Sequence, residues 1–234
     1  MSERRGAGAG SMDREWYLLV GGERRDARSG RTATVCEPAT GKPLAEVAQA
    51  GTADVDETLA IATAEFETGD WARRSATERG RVLENAGRLL RERAEDFAVA
   101  EARGAGHAIA DARWEAGAAA ATLEYYGGAA NKFFGEVVPI ADPGLDVVLR
   151  EPVGVCTLIV PWNFPLMIAT WKVAPALACG NPIVLKPASL TPLTALMLGE
   201  LLVEAGVDPG AVSVLVGPGS EVGNALVADR RVSK

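Results

Sequence analysis

An open, parallel, doubly wound α/β sheet is the fold this sequence predicts, and three observations predict it. The apolar runs Val153–Val160, Ile183–Leu185 and Val212–Val216 are continuous rather than alternating, as in strands buried on both faces. Helical patterns at Leu166–Cys179 and Pro192–Ala205 separate them. Gly180 and Gly206 follow those patterns and suit helix C-termini, while Thr191 before Pro192 suits an N-cap and first turn.

Right-handed crossovers make such strands parallel. The loops leaving them then gather along the edge where open α/β sheets bind ligands. Those loops read PWNFP from Pro161, KPAS from Lys186 and GPGS from Gly217. Asn163 offers an amide N–H pair, and Lys186 a cation at a strand end. Gly217, Gly219 and Gly223 allow close backbone approach to a bound nucleotide. The glycines alone are weaker evidence. Their spacing is GxGxxxG, one residue longer than the dinucleotide fingerprint, and it reads equally as a turn into a helix capped by Ser220.

The remaining elements follow in chain order. Residues 1–11 are small and polar and read as a disordered leader, with Met12 an alternative start; without an apolar stretch there, no secretory signal is expected. Trp16–Val20 reads as a strand turned by Gly21-Gly22, and Leu44–Ala48 as a strand after the turn-rich Glu37–Pro43. Val55, Leu59, Ala62 and Phe66 mark one face of a first helix. Ser75-Ala76-Thr77-Glu78 is a capping box opening a second, with Val82, Ala86, Leu89 and Leu90 on its apolar side. A third runs from about Ala108 to Asn131, after Gly104-Ala105-Gly106. Val137–Ile140 and Leu145–Arg150 form a hairpin about Ala141-Asp142-Pro143-Gly144.

Composition excludes several functions. The 234 residues carry a net charge of −7, which disfavours nucleic acid or an anionic membrane as partner. No apolar run reaches the ~18 residues of a membrane span; Lys172 interrupts the longest candidate. Cys36, Cys156 and Cys179 are an odd number without CxxC spacing, so a reduced, cytoplasmic protein is expected. Cys156 and Cys179 read as small core residues, and Cys36 as lying far from the crevice edge. His107, the one histidine, has no zinc-site spacing to these cysteines and no hydrolase triad partners, so no metal is expected.

PWNFP, the Trp171-Lys172-x-x-Pro-Ala-Leu-Ala run, KPAS-x-TP and the spaced glycines resemble the aldehyde dehydrogenase superfamily, from about Asp13 to Lys234. That is roughly the first half of what the family contains. The resemblance implies NAD- or NADP-dependent oxidation of a small-molecule aldehyde to a carboxylic acid. It implies a nucleotide-binding domain over residues 12–133 and 152–234, an oligomerisation hairpin over 134–151, and a homo-oligomer at full length. The hairpin residues alone equally suit a ribbon covering its own core.

The family's residue roles carry over position by position. Asn163 would stabilise the oxyanion; its spacing alone favours instead an asparagine bonded to loop backbone. Lys186 would contact the adenosine ribose, against the alternative of a solvated lysine. Val160, Pro161, Trp162, Gly219 and Gly223 would lie beside the cofactor. Ser189 stands where many NAD-preferring relatives carry an acid, so NADP is expected to be tolerated. Lys172 would serve a proton relay, or else snorkel at the helix edge. Arg150-Glu151-Pro152 and Ala169–Val173 look closest to betaine aldehyde dehydrogenases. The family's nucleophilic cysteine and general-base glutamate motifs are not found in these residues. The chain alone is therefore expected to be inactive and prone to aggregate. The alternatives are a non-catalytic nucleotide-binding module, a half that pairs with a separate catalytic chain, and an incomplete reading frame.

Overall fold

A computed structural model describes residues 14–141 and 143–234. The expected leader and Met12 lie outside the described residues, as does Asp142 of the hairpin turn. The chain opens with β1 (Leu18–Val20) and β2 (Glu23–Arg25), joined by Gly21-Gly22 at φ 56° and 74°, a conformation that favours glycine. β3 (Thr32–Cys36) and β4 (Pro43–Ala48) form an antiparallel hairpin. The second expected strand therefore pairs with β3, a strand the sequence reading did not identify. Trp16 touches it only through a single bridge to Val47.

Four helices follow: α1 (Thr52–Thr68), α2 (Ala76–Glu92), α3 (Ala94–Ala105) and α4 (Ile109–Ala129). The capping box opens α2 as expected, with Ser75 and Glu78 bonding each other's backbone N–H. One helix was expected up to Gly104, but the chain bends at Arg93 (φ −111°, ψ 18°), which is ion-paired with Glu204. No glycine or proline marks the break. α2 and α4 approach through small residues: a β-carbon on Gly80 would lie 2.5 Å from the Gly127 carbonyl oxygen.

β5 (Glu136–Val138) and β6 (Asp146–Val148) form the expected hairpin. Every described residue from 131 to 150 is exposed, so the ribbon covers no core among the described residues.

The nucleotide-type unit is β7 (Cys156–Ile159), α5 (Pro165–Ala178), β8 (Ile183–Lys186), α6 (Leu193–Ala205), β9 (Val212–Val214) and α7 (Asn224–Ala228). Gly180 (φ 84°) and Gly206 (φ 110°) end the helices as predicted. Thr191 and Ser220 are not helix caps: Pro192 occupies the cap position of α6, and Gly219–Gly223 winds as a π-helical turn behind Pro218.

The main sheet has the order β2-β1-β9-β8-β7. β7, β8 and β9 are parallel; β1 joins β9 antiparallel through Leu19↔Val214, giving a mixed edge. α5 and α6 cover one face, themselves covered by α2, α3 and α4, while α1 packs against β8 and β9 with α7. Leu166, Leu177, Leu185, Leu198, Leu202 and Val214 are buried between these layers. On the free side of β7, Ser233 N–H donates to the Val155 carbonyl and Thr157 N–H to that of Lys234, both at 2.9 Å. The order therefore reverses beside β7, which is where ligand crevices of open sheets form.

Candidate nucleotide-binding rim

The loops after β7, β8 and β9 are tied to one another. β7 and β8 pair in register Ile159↔Lys186, so both strands end on the same edge. Val160 N–H donates to the Lys186 carbonyl at 3.0 Å, and Leu215 N–H to that of Leu185 at 2.9 Å. The Ser189 hydroxyl donates to the Gly217 carbonyl at 2.8 Å, and that of Thr191 to the Trp162 carbonyl at 3.4 Å. A third brace comes from outside: Arg31 pairs with Glu221 at 2.9 Å and donates to the Ala50 carbonyl, while Ala50 N–H donates to that of Val216.

Lys186 is 5% exposed, not the solvated lysine of the alternative reading. Burial lowers its pKa from the ordinary lysine value. Its Nζ donates to the Pro187 carbonyl at 3.1 Å; an ammonium has three donors, so two are uncommitted among the described residues. Gly223 is buried against it, and Gly219 is exposed, with nothing within 4 Å of a β-carbon built there.

Val160 is buried, whereas Pro161, Trp162 and Asn163 are exposed on the loop. The Asn163 side chain makes no hydrogen bond among the described residues, so its amide is not spent on loop backbone. Ser189 is half-buried, with its proton committed to Gly217; it can offer lone pairs and the absence of a carboxylate. Lys172 is exposed beside Trp171 on α5.

The cysteines partly depart from expectation. Cys156 is buried and Cys179 half-buried at the end of α5, and burial pushes both thiols up. Cys36 is not remote from the crevice edge. It lines a cleft of ≈ 370 Å³ together with Trp162, Ser189 and Thr191, because the β3–β4 hairpin folds back beside the loops.

Sequence reasoning missed a second group of polar residues. Glu101 of α3, His107 of the following link and Glu115 of α4 each present a ligand-type atom, all within 4.8 Å of one another. Both glutamates are 1% exposed. Glu101 accepts from Leu166 N–H at 3.1 Å, and desolvation raises its pKa to about 7. The spacing of Glu101 and Glu115 from His107 matches no recognisable motif, so the sequence gives no local signal for the group.

Compared with known proteins, the sequence profile of the aldehyde dehydrogenase family matches residues 25–234. Retinal dehydrogenase 2 of Mus musculus is 39% identical over 219 residues, which is 93% of this chain and 42% of that protein. The crystal structure of PnpE in complex with nicotinamide adenine dinucleotide superposes with a TM-score of 0.90 at 41% identity, over 94% of this chain and 45% of that one. A betaine aldehyde dehydrogenase from Staphylococcus aureus, in complex with NAD+, gives 0.91 at 30% identity, over 93% and 45%. The chain thus spans under half the length of these relatives.

Proposed function

This chain belongs to the aldehyde dehydrogenase family, and on that premise we propose that it is the coenzyme-binding part of a protein that oxidises an aldehyde to a carboxylic acid with NAD or NADP. One observation carries the reading: three hydrogen-bonded loops bring buried Lys186, Gly223 and the unspent amide of Asn163 to a single rim.

The residues fit such a cofactor. Two uncommitted donors on a buried ammonium suit ribose hydroxyls or a phosphate oxygen, and the open space at Gly219 suits backbone approach. Val160, Pro161 and Trp162 would line the same crevice, with Trp162 offering a flat apolar face. Ser189 puts no carboxylate at that position to repel a 2′-phosphate. When bound, the nicotinamide supplies the hydride acceptor. Asn163 would donate its amide N–H to the aldehyde oxygen as negative charge develops there, an effect worth ~3–4 kcal/mol in comparable sites. Lys172 would move a proton only with an acidic partner from outside these residues.

The exposed hairpin, with Val137, Val147 and Leu149 on its surface, is the surface through which we expect copies to associate. Three free cysteines fit a reducing compartment. The betaine-like motifs Arg150-Glu151-Pro152 and Ala169–Val173 are the pointer to the class of aldehyde.

A second reading has its own support. Cys156 and Cys179 are held as neutral thiols by burial, unlike an activated nucleophile. The chain would then bind nucleotide while a separate catalytic chain, or none, supplies the thiolate. Titration of the purified chain with NADH and NADPH tests the first reading, followed by coenzyme fluorescence. Saturable binding, weakened at least tenfold by Lys186→Met with an unchanged melt, supports it. Equal binding by the variant, or none by the native chain, sinks it. Propanal oxidation by the chain alone would sink the second.

A further inference from the structure

We propose that Glu101, His107 and Glu115 form a site for a divalent transition-metal ion, with zinc the best match. Their ligand-type atoms lie within 4.8 Å of one another, and His107 Nδ1 is 2.8 Å from Glu115 Oε1. The other Glu115 oxygen is buried and has no hydrogen-bond partner, in a residue that is 1% exposed. A buried carboxylate oxygen without a donor is costly unless a cation meets it. Two carboxylates and one imidazole converge here, so an ion would meet two acidic oxygens and a ring nitrogen.

The donor set selects the metal. One imidazole nitrogen and two carboxylate oxygens are typical zinc ligands, whereas magnesium and calcium prefer all-oxygen shells. Tetrahedral zinc sets ligand atoms roughly 3.3 Å apart, within reach of small side-chain adjustments from the present separations. An entry path exists: a cleft of ≈ 340 Å³ is lined by His107, Asp111, Trp114, Glu115 and Phe164. Asp111 lines the same cleft and adds acidic attraction at its mouth.

The location gives the ion a positioning role. Glu101 holds the Leu166 N–H in the first turn of α5, and the His107 ring packs edge-on against Phe164 at 5.5 Å between centroids. An ion would join α3, the link, α4 and the residues just after Asn163 into one unit.

The test uses the 234-residue chain after chelator treatment, titrated with zinc in competition with a chromophoric chelator. One equivalent should bind, with a raised melting temperature; magnesium should compete poorly. His107→Gln and Glu115→Gln should each weaken binding at least tenfold, while Cys36→Ser should not. Cobalt bound to the native chain should show ligand-field bands without thiolate charge transfer, which reads the site even if a variant fails to fold. Absence of binding, unchanged affinity in His107→Gln, or a thiolate charge-transfer band would overturn the proposal.

Discussion

Gly223 stands against Lys186: a β-carbon on Gly223 would sit 4.0 Å from the Lys186 Cε. That is ordinary contact, and Gly223 has helical angles (φ −62°, ψ −49°). Gly223→Ala should therefore leave stability unchanged or raise it by up to about 1 kcal/mol. Gly223→Leu should cover the ammonium and weaken nucleotide binding about tenfold or more, near 1.4 kcal/mol. Paired thermal melts and coenzyme titrations separate the two effects.

Ser189 sets the expected coenzyme choice. Ser189→Glu puts a carboxylate beside the ribose, so NADPH affinity should fall about tenfold or more while NADH is retained. Loss of the bond to the Gly217 carbonyl should cost about 1 kcal/mol of stability. The ratio of the two dissociation constants is the measurement, and an unchanged ratio contradicts the assignment.

Among the described residues, the Asn163 side chain has no hydrogen bond to lose. Asn163→Ala should leave the melt and coenzyme affinity of this chain unaltered. In a complete protein that turns over aldehyde, the same change should lower kcat by roughly 100- to 1000-fold. A large loss of stability would assign the residue to the loop backbone instead.

Asn181 is a structural counterpart. Its Oδ1 accepts from Val153 N–H at 2.8 Å and Gly154 N–H at 3.2 Å, and its Nδ2 donates to the Ala176 carbonyl. It thereby joins the end of α5 to the entry of β7. Asn181→Ala should destabilise the chain by about 1–3 kcal/mol, seen in denaturant melts.

Arg231 holds Asp229 at about 2, below the ordinary 3.8. A depressed folded-state value stabilises above the ordinary range, and that contribution is lost as pH falls through about 2. The melting difference between native and Asp229→Asn should be constant above about pH 5, shrink below that and close toward pH 2. A gap that persists at the acid end would show that the pair is not what the difference measures.

The parallel unit was legible because burial on both faces leaves a local mark. Continuous runs at Ile183–Leu185 and Val212–Val216, with glycines after the intervening helices, need no distant partner to be recognised. The bend at Arg93 and the pairing of β3 with β4 rather than the first strand were not legible. Arg93 is fixed by Glu204, over a hundred residues away in sequence, and β-pairing depends on neighbours that the local pattern does not name.

By itself, then, the sequence determined the strand–helix alternation, the common direction of β7, β8 and β9, and hence the edge to which Asn163, Lys186 and Gly223 belong. Only the tertiary structure decided that Lys186 is buried, that Ser189 spends its proton on Gly217, that Cys36 faces the same cleft, and that Glu101, His107 and Glu115 meet. The physical reason is range. Burial periodicity and helix capping are written into adjacent residues, whereas desolvation and charge pairing depend on which distant side chains the packed layers bring within a few ångströms.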